Sequence, residues 1–216
     1  MSIATAELIE SAPDCIRSPF LILVDQQEKA PFAFGGLRAR SFIDKEMREY
    51  CPVRTERRFL GVGMGDYSLD GYQGRVAIER KSMVDFQGTL LGWRHEVEAG
   101  GPGGWTHDVD RRARFKRELR NLAAMECKVV IVESTFWTCL DLAPTWGVRT
   151  ASENAKYLHS TYLSWQIEFP GVPWIFCDDK QFAAVTCFRI LEKFWSRMAG
   201  ERRKKKRKQL CFLETT

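Results

Sequence analysis

The stretch Val76-Ala77-Ile78-Glu79-Arg80-Lys81 passes from three apolar residues to three charged ones. The apolar half predicts a short buried strand, along which successive side chains point alternately to the two faces of a sheet. Glu79 and Lys81 therefore point to one face, whereas Arg80 points to the other. For Arg80 we expect a buried or substrate-facing ion pair, with Asp85 as a candidate partner.

A second acidic residue precedes this strand in Gly65-Asp66-Tyr67. We predict that a hairpin turning through Asp70-Gly71 brings Asp66 alongside Glu79. Two adjacent carboxylates can hold a hard divalent cation such as Mg²⁺ or Mn²⁺. Such a cation stabilises charge on a phosphodiester and lowers the pKa of a bound water. Lys81 is placed to orient that water or to neutralise the transition state.

Two carboxylates followed by a lysine, in this order, resemble the site of the PD-(D/E)xK nucleases. The resemblance implies an α/β, restriction-endonuclease-like fold in which helices flank a mixed central sheet. Where Glu-x-Lys stands alone, a solvated charge cluster on an amphipathic hairpin is the more common explanation. Here further motifs accompany it and favour the nuclease.

These motifs are Val24-Asp25-Gln26-Gln27-Glu28 upstream and the continuation of the central stretch to Asp85. Weaker similarity follows in the expected order at residues 114–119, 129–133 and 172–176. Together they resemble the nuclease domain of the XPF-type structure-selective endonucleases, over about residues 20–199. Larger members of that family carry a tandem helix-hairpin-helix module after the nuclease. We expect a stand-alone nuclease core here, which leaves selectivity for DNA junctions open.

The resemblance implies a role for each acidic and basic residue of these motifs. The implied catalytic residues are Asp66, Glu79, Arg80 and Lys81. The implied ligands of Mg²⁺ or Mn²⁺ are Asp66, Glu79, Asp25 and Glu28, and Asp85 supports them. From the residues alone, Asp25 and Glu28 could be outer ligands, a second metal site or supports for Lys81, or simply solvated acids at the end of a strand.

The net charge of +5 is unevenly distributed, because residues 201–208 hold seven basic groups and one acid. That run carries +6, which leaves about −1 for the rest of the chain. We expect a disordered tail that acts as a phosphate-binding arm, a nuclear import signal or a solubilising terminus. The candidate DNA-binding residues are Arg114, Lys116, Arg117, Lys204, Lys205, Lys206, Arg207 and Lys208. Of these, Arg114, Lys116 and Arg117 could equally be ordinary helix-surface charges that pair with Glu118.

The chain divides into a loose leader (residues 1–18), a nuclease domain (19–199) and a basic C-terminal tail (200–216). Apolar runs and alternation predict strands at 20–24, 53–61, 66–72, 75–81, 128–133 and 172–177. Helical periodicity and capping residues predict helices at 41–50, 82–91, 108–125, 152–169 and 179–198. Glycine and proline predict loops at 99–104 and 140–150.

The last predicted helix carries a wide apolar stripe at three- and four-residue spacing. Its members are Phe182, Val185, Phe188, Leu191, Phe194, Trp195 and Met198. The stripe is either part of the core or, as the resemblance implies, the interface of a homodimer formed through the C-terminal helix.

Several classes of protein do not fit the sequence. The seven cysteines show no spacing suited to zinc, and their scatter indicates reduced thiols in an intracellular protein. No apolar segment approaches the length of a membrane span, and no secretory signal is evident. We expect a cytoplasmic or nucleoid location in a bacterium or phage, and a nuclear one in a eukaryote.

The resemblance therefore implies a metal-dependent DNA endonuclease that hydrolyses phosphodiester bonds. Its expected substrate is branched or flapped DNA in repair or recombination. Two alternatives stay open. One is a catalytically idle subunit that binds DNA or a dimer partner, and the other is a nuclease acting on unbranched DNA or RNA.

Overall fold

A computed structural model describes residues 8–9, 12–40, 46–50, 52–96, 104–108, 110–145 and 149–213. Its strands are β1 (Leu8–Ile9), β2 (Ala12–Ile16), β3 (Ile22–Asp25), β4 (Arg38–Arg40), β5 (Met47–Tyr50), β6 (Thr55–Arg58), β7 (Tyr67–Leu69), β8 (Val76–Lys81), β9 (Trp93–Glu96), β10 (Gly104–His107), β11 (Cys127–Val132) and β12 (Trp174–Phe176). Its helices are α1 (Met83–Leu91), α2 (Arg111–Ala123), α3 (Phe136–Asp141), α4 (Ala151–Glu168) and α5 (Lys180–Leu213).

The centre of the fold is a six-stranded mixed sheet with the order β12-β11-β8-β7-β3-β6. The strand β8 pairs in parallel with β11 and antiparallel with β7, and β7 pairs antiparallel with β3. All four residues of β3 are buried, as expected of a strand covered on both faces. The predicted α/β class, with a mixed central sheet flanked by helices, is confirmed.

Helices cover this sheet on both faces and create two separate apolar cores. One core joins α5 to the sheet through residues such as Ile78 and Phe188. The other joins α1, α2 and α4 to the opposite face through residues such as Ala77 and Phe115. Because side chains alternate along β8, the residues after Ile78 are divided between these two sides in the same way.

A four-stranded second sheet with the order β1-β2-β5-β4 corrects two predictions. A helix was expected at 41–50, but Met47–Tyr50 is a strand that pairs with both β2 and β4, and residues 41–45 lie outside the described part. Pairing on both sides and burial of Tyr50 outweigh the helical propensity of this charged segment. The leader expected to be loose contributes strands β1 and β2.

The other differences concern the C-terminal run, the loop predicted at 99–104 and one short helix. The basic run 201–208 was expected to be disordered, but α5 continues through it to Leu213. Of the loop predicted at 99–104, only Gly104 is described, and it opens β10 in a hairpin with β9. The short helix α3, capped by Thr135, was not predicted.

The apolar stripe of α5 belongs to the core. Phe188, Leu191, Phe194 and Met198 are all buried against the central sheet, whereas Phe182 at the start of the helix is exposed. The stripe is thus used within one chain, and homodimerisation stays a prediction. Within the described ranges, no helix is both long and apolar enough to span a membrane.

Candidate active site

Three of the predicted catalytic side chains meet where β7 begins and β8 ends. Asp66 is fixed to β8 by two backbone contacts: its N–H donates to the Ile78 carbonyl at 2.8 Å, and its Oδ2 accepts from the Arg80 N–H at 2.7 Å. Glu79 and Lys81 form an ion pair with 2.8 Å between Oε1 and Nζ. The predicted hairpin therefore places Asp66 beside Glu79 and Lys81.

This cluster is largely buried, and its charges interact strongly. Burial raises the pKa of Asp66 well above its usual value, the negative charge of Glu79 raises it further, and Lys81 opposes both effects. For Lys81, burial acts to lower the pKa, but the carboxylates of Glu79, Glu118 and Asp66 outweigh it and the net shift is upward. Lys81 is therefore a fixed cation between acids.

The pair Asp66 and Glu79 suits a hard divalent cation. The charge of Glu79 makes ionisation of Asp66 more costly, and a divalent cation placed between the two carboxylates would relieve this repulsion. Mg²⁺ is commonly held by only one or two carboxylates, with waters and substrate phosphates completing its shell. Across the described ranges, no group of three or more His, Cys, Asp or Glu side chains is arranged to hold a metal ion. The candidate ligands are thus two carboxylates.

The remaining predicted ligands, Asp25 and Glu28, are engaged in other contacts. Asp25 accepts the Gln27 N–H with Oδ1 and the Leu60 N–H with Oδ2, both at 2.8 Å. Glu28 Oε1 accepts the Ala30 N–H at 2.6 Å and lies 3.2 Å from Arg80 Nη1. These contacts support structural roles, and we retain Asp66 and Glu79 as the candidate ligands.

Arg80 lies on the opposite face from Glu79 and Lys81, as the alternation predicted. Its Nε and Nη2 donate to the two carboxylate oxygens of Glu133 at 2.7 and 2.8 Å, and its side chain is only 10% exposed. Asp85 was the expected partner, but Glu133 and Glu28 take that place. With all three guanidinium nitrogens so engaged, the contacts do not support the catalytic role assigned to Arg80.

Asp85 lies at the mouth of a cleft that opens beside Lys81. Its Oδ1 is 2.9 Å from Arg111 Nη2, and its backbone N–H donates to the Oγ of Ser82, the predicted cap of α1. The cleft has a volume of about 440 Å³ and is lined in part by Lys81, Asp85, Arg111, Arg114 and Glu118. Asp85 thus contributes to the rim of the cleft.

Glu118 is a site residue that the sequence interpretation missed. It projects from α2 into the cleft, and Lys81 Nζ lies 4.3 Å from the ring centre of Phe115 on the same helix. Burial raises the pKa of Glu118, and the charge of Lys81 opposes this rise. The sequence did contain a signal that could have identified Glu118. The buried face of α2 is formed by Phe115, Leu119 and Leu122, and Glu118 lies next to that face.

The basic residues of α2 divide between two sides of the helix. Lys116 forms an ion pair with Glu168 and lies over Trp165, away from the cleft. Arg114 and Arg117 instead line clefts beside the cluster. The backbone of residues 204–208 lies in α5, and the side chains of Lys204, Lys205, Lys206, Arg207 and Lys208 are outside the described part.

Glu118→Gln is expected to lower kcat about 10- to 100-fold with a smaller change in KM, as is typical when a group that orients a catalytic residue is lost. The variant keeps the shape of the side chain but removes a negative charge that faces Lys81. Steady-state kinetics on a labelled DNA substrate measure this. Glu126→Gln, an exposed change elsewhere, is the control, and equal effects of both variants would contradict the assignment.

No protein-family model matches the chain, and no curated protein matches it. The chain is similar in structure to XPF from Aeropyrum pernix. The two are 18% identical with a TM-score of 0.49, over 85% of this chain and 69% of that one. For XPF from Aeropyrum pernix in complex with DNA, the sequence identity is 17% and the TM-score is 0.48, over 82% of this chain and 66% of that one. This chain thus spans about two thirds of the chains it matches, and roles for single residues have to come from their contacts.

Proposed function

We propose that this protein is a Mg²⁺- or Mn²⁺-dependent endonuclease that hydrolyses phosphodiester bonds in DNA. The observation that carries the proposal is the meeting of Asp66, Glu79 and Lys81 beside an open cleft. Three charged side chains in a largely buried cluster are costly for a fold unless they serve a ligand or a reaction. A phosphodiester with its divalent cation matches this combination of two carboxylates and one lysine cation.

Asp66 and Glu79 would hold the cation, which when bound supplies charge stabilisation at the phosphate and a water of lowered pKa. Lys81 Nζ carries a permanent positive charge at the edge of the cleft, and it can donate to a phosphate oxygen as negative charge develops there. The Arg80 N–H holds Asp66 Oδ2 in one orientation. The geometry of the acids is therefore set before substrate arrives.

The cleft is lined by as many acids as bases, and Arg111 pairs with Asp85 and Arg114 with Asp108. Its guanidinium donors, rather than its net charge, favour nucleic acid as the substrate. Arg111 and Arg114 line the cleft itself, and Arg117 lines the neighbouring one. Guanidinium groups bind phosphate oxygens through several N–H donors, and such contacts position a strand without reading its sequence. The basic run at 201–208 would add non-specific, salt-dependent affinity. The motif resemblance supports branched or flapped DNA and a role in repair or recombination.

Lys81→Ala is expected to lower kcat for DNA cleavage about 10²- to 10³-fold, because one preorganised charge at the phosphate is lost. The test is a panel of end-labelled duplex, single-stranded, flap and forked DNA, together with a matching RNA, in Mg²⁺, Mn²⁺ or EDTA. Lys156→Ala, an exposed lysine on α4, serves as the control.

The panel also separates the alternatives. Metal-dependent cutting of flap or forked DNA supports the proposed substrate, whereas preferred cutting of plain duplex or RNA would replace it. DNA that is bound but left intact under every condition would indicate an idle subunit. Full activity of Lys81→Ala would remove Lys81 from the mechanism.

A further inference from the structure

A loop with exposed apolar side chains lies beside the candidate site. It comprises residues 59–65 between β6 and β7, and it ends immediately before Asp66. Val62 at its tip is 82% exposed and Phe59 at its start is 55% exposed. The 59–65 loop is thus an apolar projection adjoining a charged site, and core packing gives no reason for it.

Contacts on both sides fix the shape of the 59–65 loop. Asp25 Oδ2 accepts the Leu60 N–H at 2.8 Å, and Asn121 of α2 donates to the Val62 carbonyl at 3.3 Å. Gly63 has a φ of +68° and packs so closely on α2 that a Cβ there would lie 3.0 Å from Glu118 Cγ. A loop held this firmly presents Phe59 and Val62 at little entropic cost on binding.

The loop also shares a cleft with the arginines of α2. Val62 and Gly63 line this cleft together with Arg117, Arg120 and Asn121. Arg114 lines both this cleft and the one that contains Lys81. Guanidinium donors are therefore present from the cleft of Lys81 to the apolar loop along one side of α2, with Glu118 between them in both clefts.

We propose that the 59–65 loop binds an unpaired nucleotide next to the phosphate being cut, with Phe59 and Val62 against its base and Arg114 and Arg117 on its phosphates. This proposal rests on the proposed endonuclease function and names the feature of the substrate that the enzyme recognises. A positive groove combined with apolar side chains is how proteins bind single strands, because every base has an apolar face. In a paired duplex these faces are stacked and unavailable to the loop.

The partner has to be an unpaired nucleic-acid strand for two reasons. The surface combines apolar side chains at the loop with guanidinium donors on α2, a combination that suits bases together with phosphates better than it suits a purely apolar surface. Val62 lies only four residues before Asp66, so a group bound to the loop lies near the strand that enters the site. The flat faces of the bases are accessible beside their phosphates only where a strand is unpaired.

The test is the double variant Phe59→Ala/Val62→Ser, with Leu163→Ser/Ile167→Ser as the matched control. Leu163 and Ile167 are exposed to a similar degree, 46% and 80%, but lie on α4 away from this loop. Both variants replace exposed side chains, and thermal melting verifies that each is folded. Cleavage of a flap substrate is measured in Mg²⁺. Fluorescence of 2-aminopurine at the first unpaired position is measured in EDTA, where the proposed metal-dependent cleavage is prevented.

We expect flap cleavage by Phe59→Ala/Val62→Ser to fall about 5- to 150-fold, the effect of losing the contact with one base. The fluorescence change that wild type and control produce at the unpaired position should also be lost. If the double variant keeps both the cleavage rate and the fluorescence change of the control, the loop proposal is wrong. It is equally wrong if wild type cuts only fully paired DNA. A wild type that cuts no nucleic acid overturns the proposed function instead.

Discussion

Replacing Asp66 with asparagine is expected to lower DNA cleavage by about 10³-fold or more and, at the same time, to raise the melting temperature of the metal-free protein. The activity falls because one of two candidate ligands of the cation is lost. The stability rises because the asparagine removes a charge that the folded protein accommodates poorly. Asparagine retains an oxygen for the Arg80 N–H, so the local geometry is kept.

The pH dependence of stability distinguishes this explanation from a packing effect. Burial and the charge of Glu79 raise the pKa of Asp66 in the folded state above that in the unfolded state. A raised carboxyl pKa gives stability that is fully present below the unfolded-state pKa and is lost as pH rises through the folded-state pKa. The advantage of Asp66→Asn should therefore be absent in acid and appear towards neutral pH.

Thermal melts in EDTA at several pH values measure this difference. For a chain of this size, each kcal/mol changes the melting temperature by about 2–4 °C. Added Mg²⁺ should raise the melting temperature of wild type and have little effect on Asp66→Asn, because a ligand stabilises only the state that binds it. Asp70→Asn, an exposed change in the same hairpin, should behave as wild type. A lower melting temperature for Asp66→Asn at neutral pH in EDTA would refute the electrostatic explanation.

The second large effect is expected for Arg80→Ala, which should lower the free energy of unfolding by about 3–5 kcal/mol. The variant leaves Glu133 and Glu28 as buried carboxylates, 9% and 7% exposed, without their cation. Urea denaturation followed by circular dichroism measures the loss. Arg75→Ala removes an exposed partner of Glu126 and should cost about 0–1 kcal/mol.

This measurement also decides between two roles for Arg80. If Arg80 acts in catalysis, as the motif resemblance implied, the variant should fold with normal stability and lose cleavage. If Arg80 mainly stabilises the fold, Arg80→Ala should lower the free energy of unfolding. The double variant Arg80→Ala/Glu133→Ala should then recover part of that loss. The interaction free energy obtained from this double-mutant cycle measures the contribution of the Arg80–Glu133 ion pair.

The hairpin could be predicted, and so could the face of the sheet to which each side chain of β8 points, because both depend on the order of neighbouring residues. Alternation along Val76 to Lys81 fixed which residues face together, and Asp70-Gly71 fixed the turn. Glu133 and Glu118 could not be assigned in the same way. Glu133 meets Arg80 only because β8 pairs in parallel with β11, and Glu118 meets Lys81 only because α2 packs against the sheet. Asp25 illustrates the limit most clearly. Its position at the end of β3 was predicted, but its bond to the Leu60 N–H depends on a distant loop.

The second sheet was missed for a related reason. Met47–Tyr50 is rich in residues that favour helices, and only pairing with β2 and β4 makes it a strand. Long-range pairing of this kind leaves no periodic signal in the segment itself. The basic run was also predicted wrongly from its composition. Its charge predicted disorder, but α5 continues through it.

The strand β8 places neighbouring residues in two separate cores, and this restricts how the chain can change. A slip of one residue in its pairing with β11 would exchange the two faces, moving Arg80 into the cleft and Lys81 into the opposite core. A single-residue insertion between Gly74 and Glu79 would thus disable chemistry and folding together. Length variation is instead expected in loops that leave the register of β8 and the positions of Asp66, Glu118 and Glu133 unchanged.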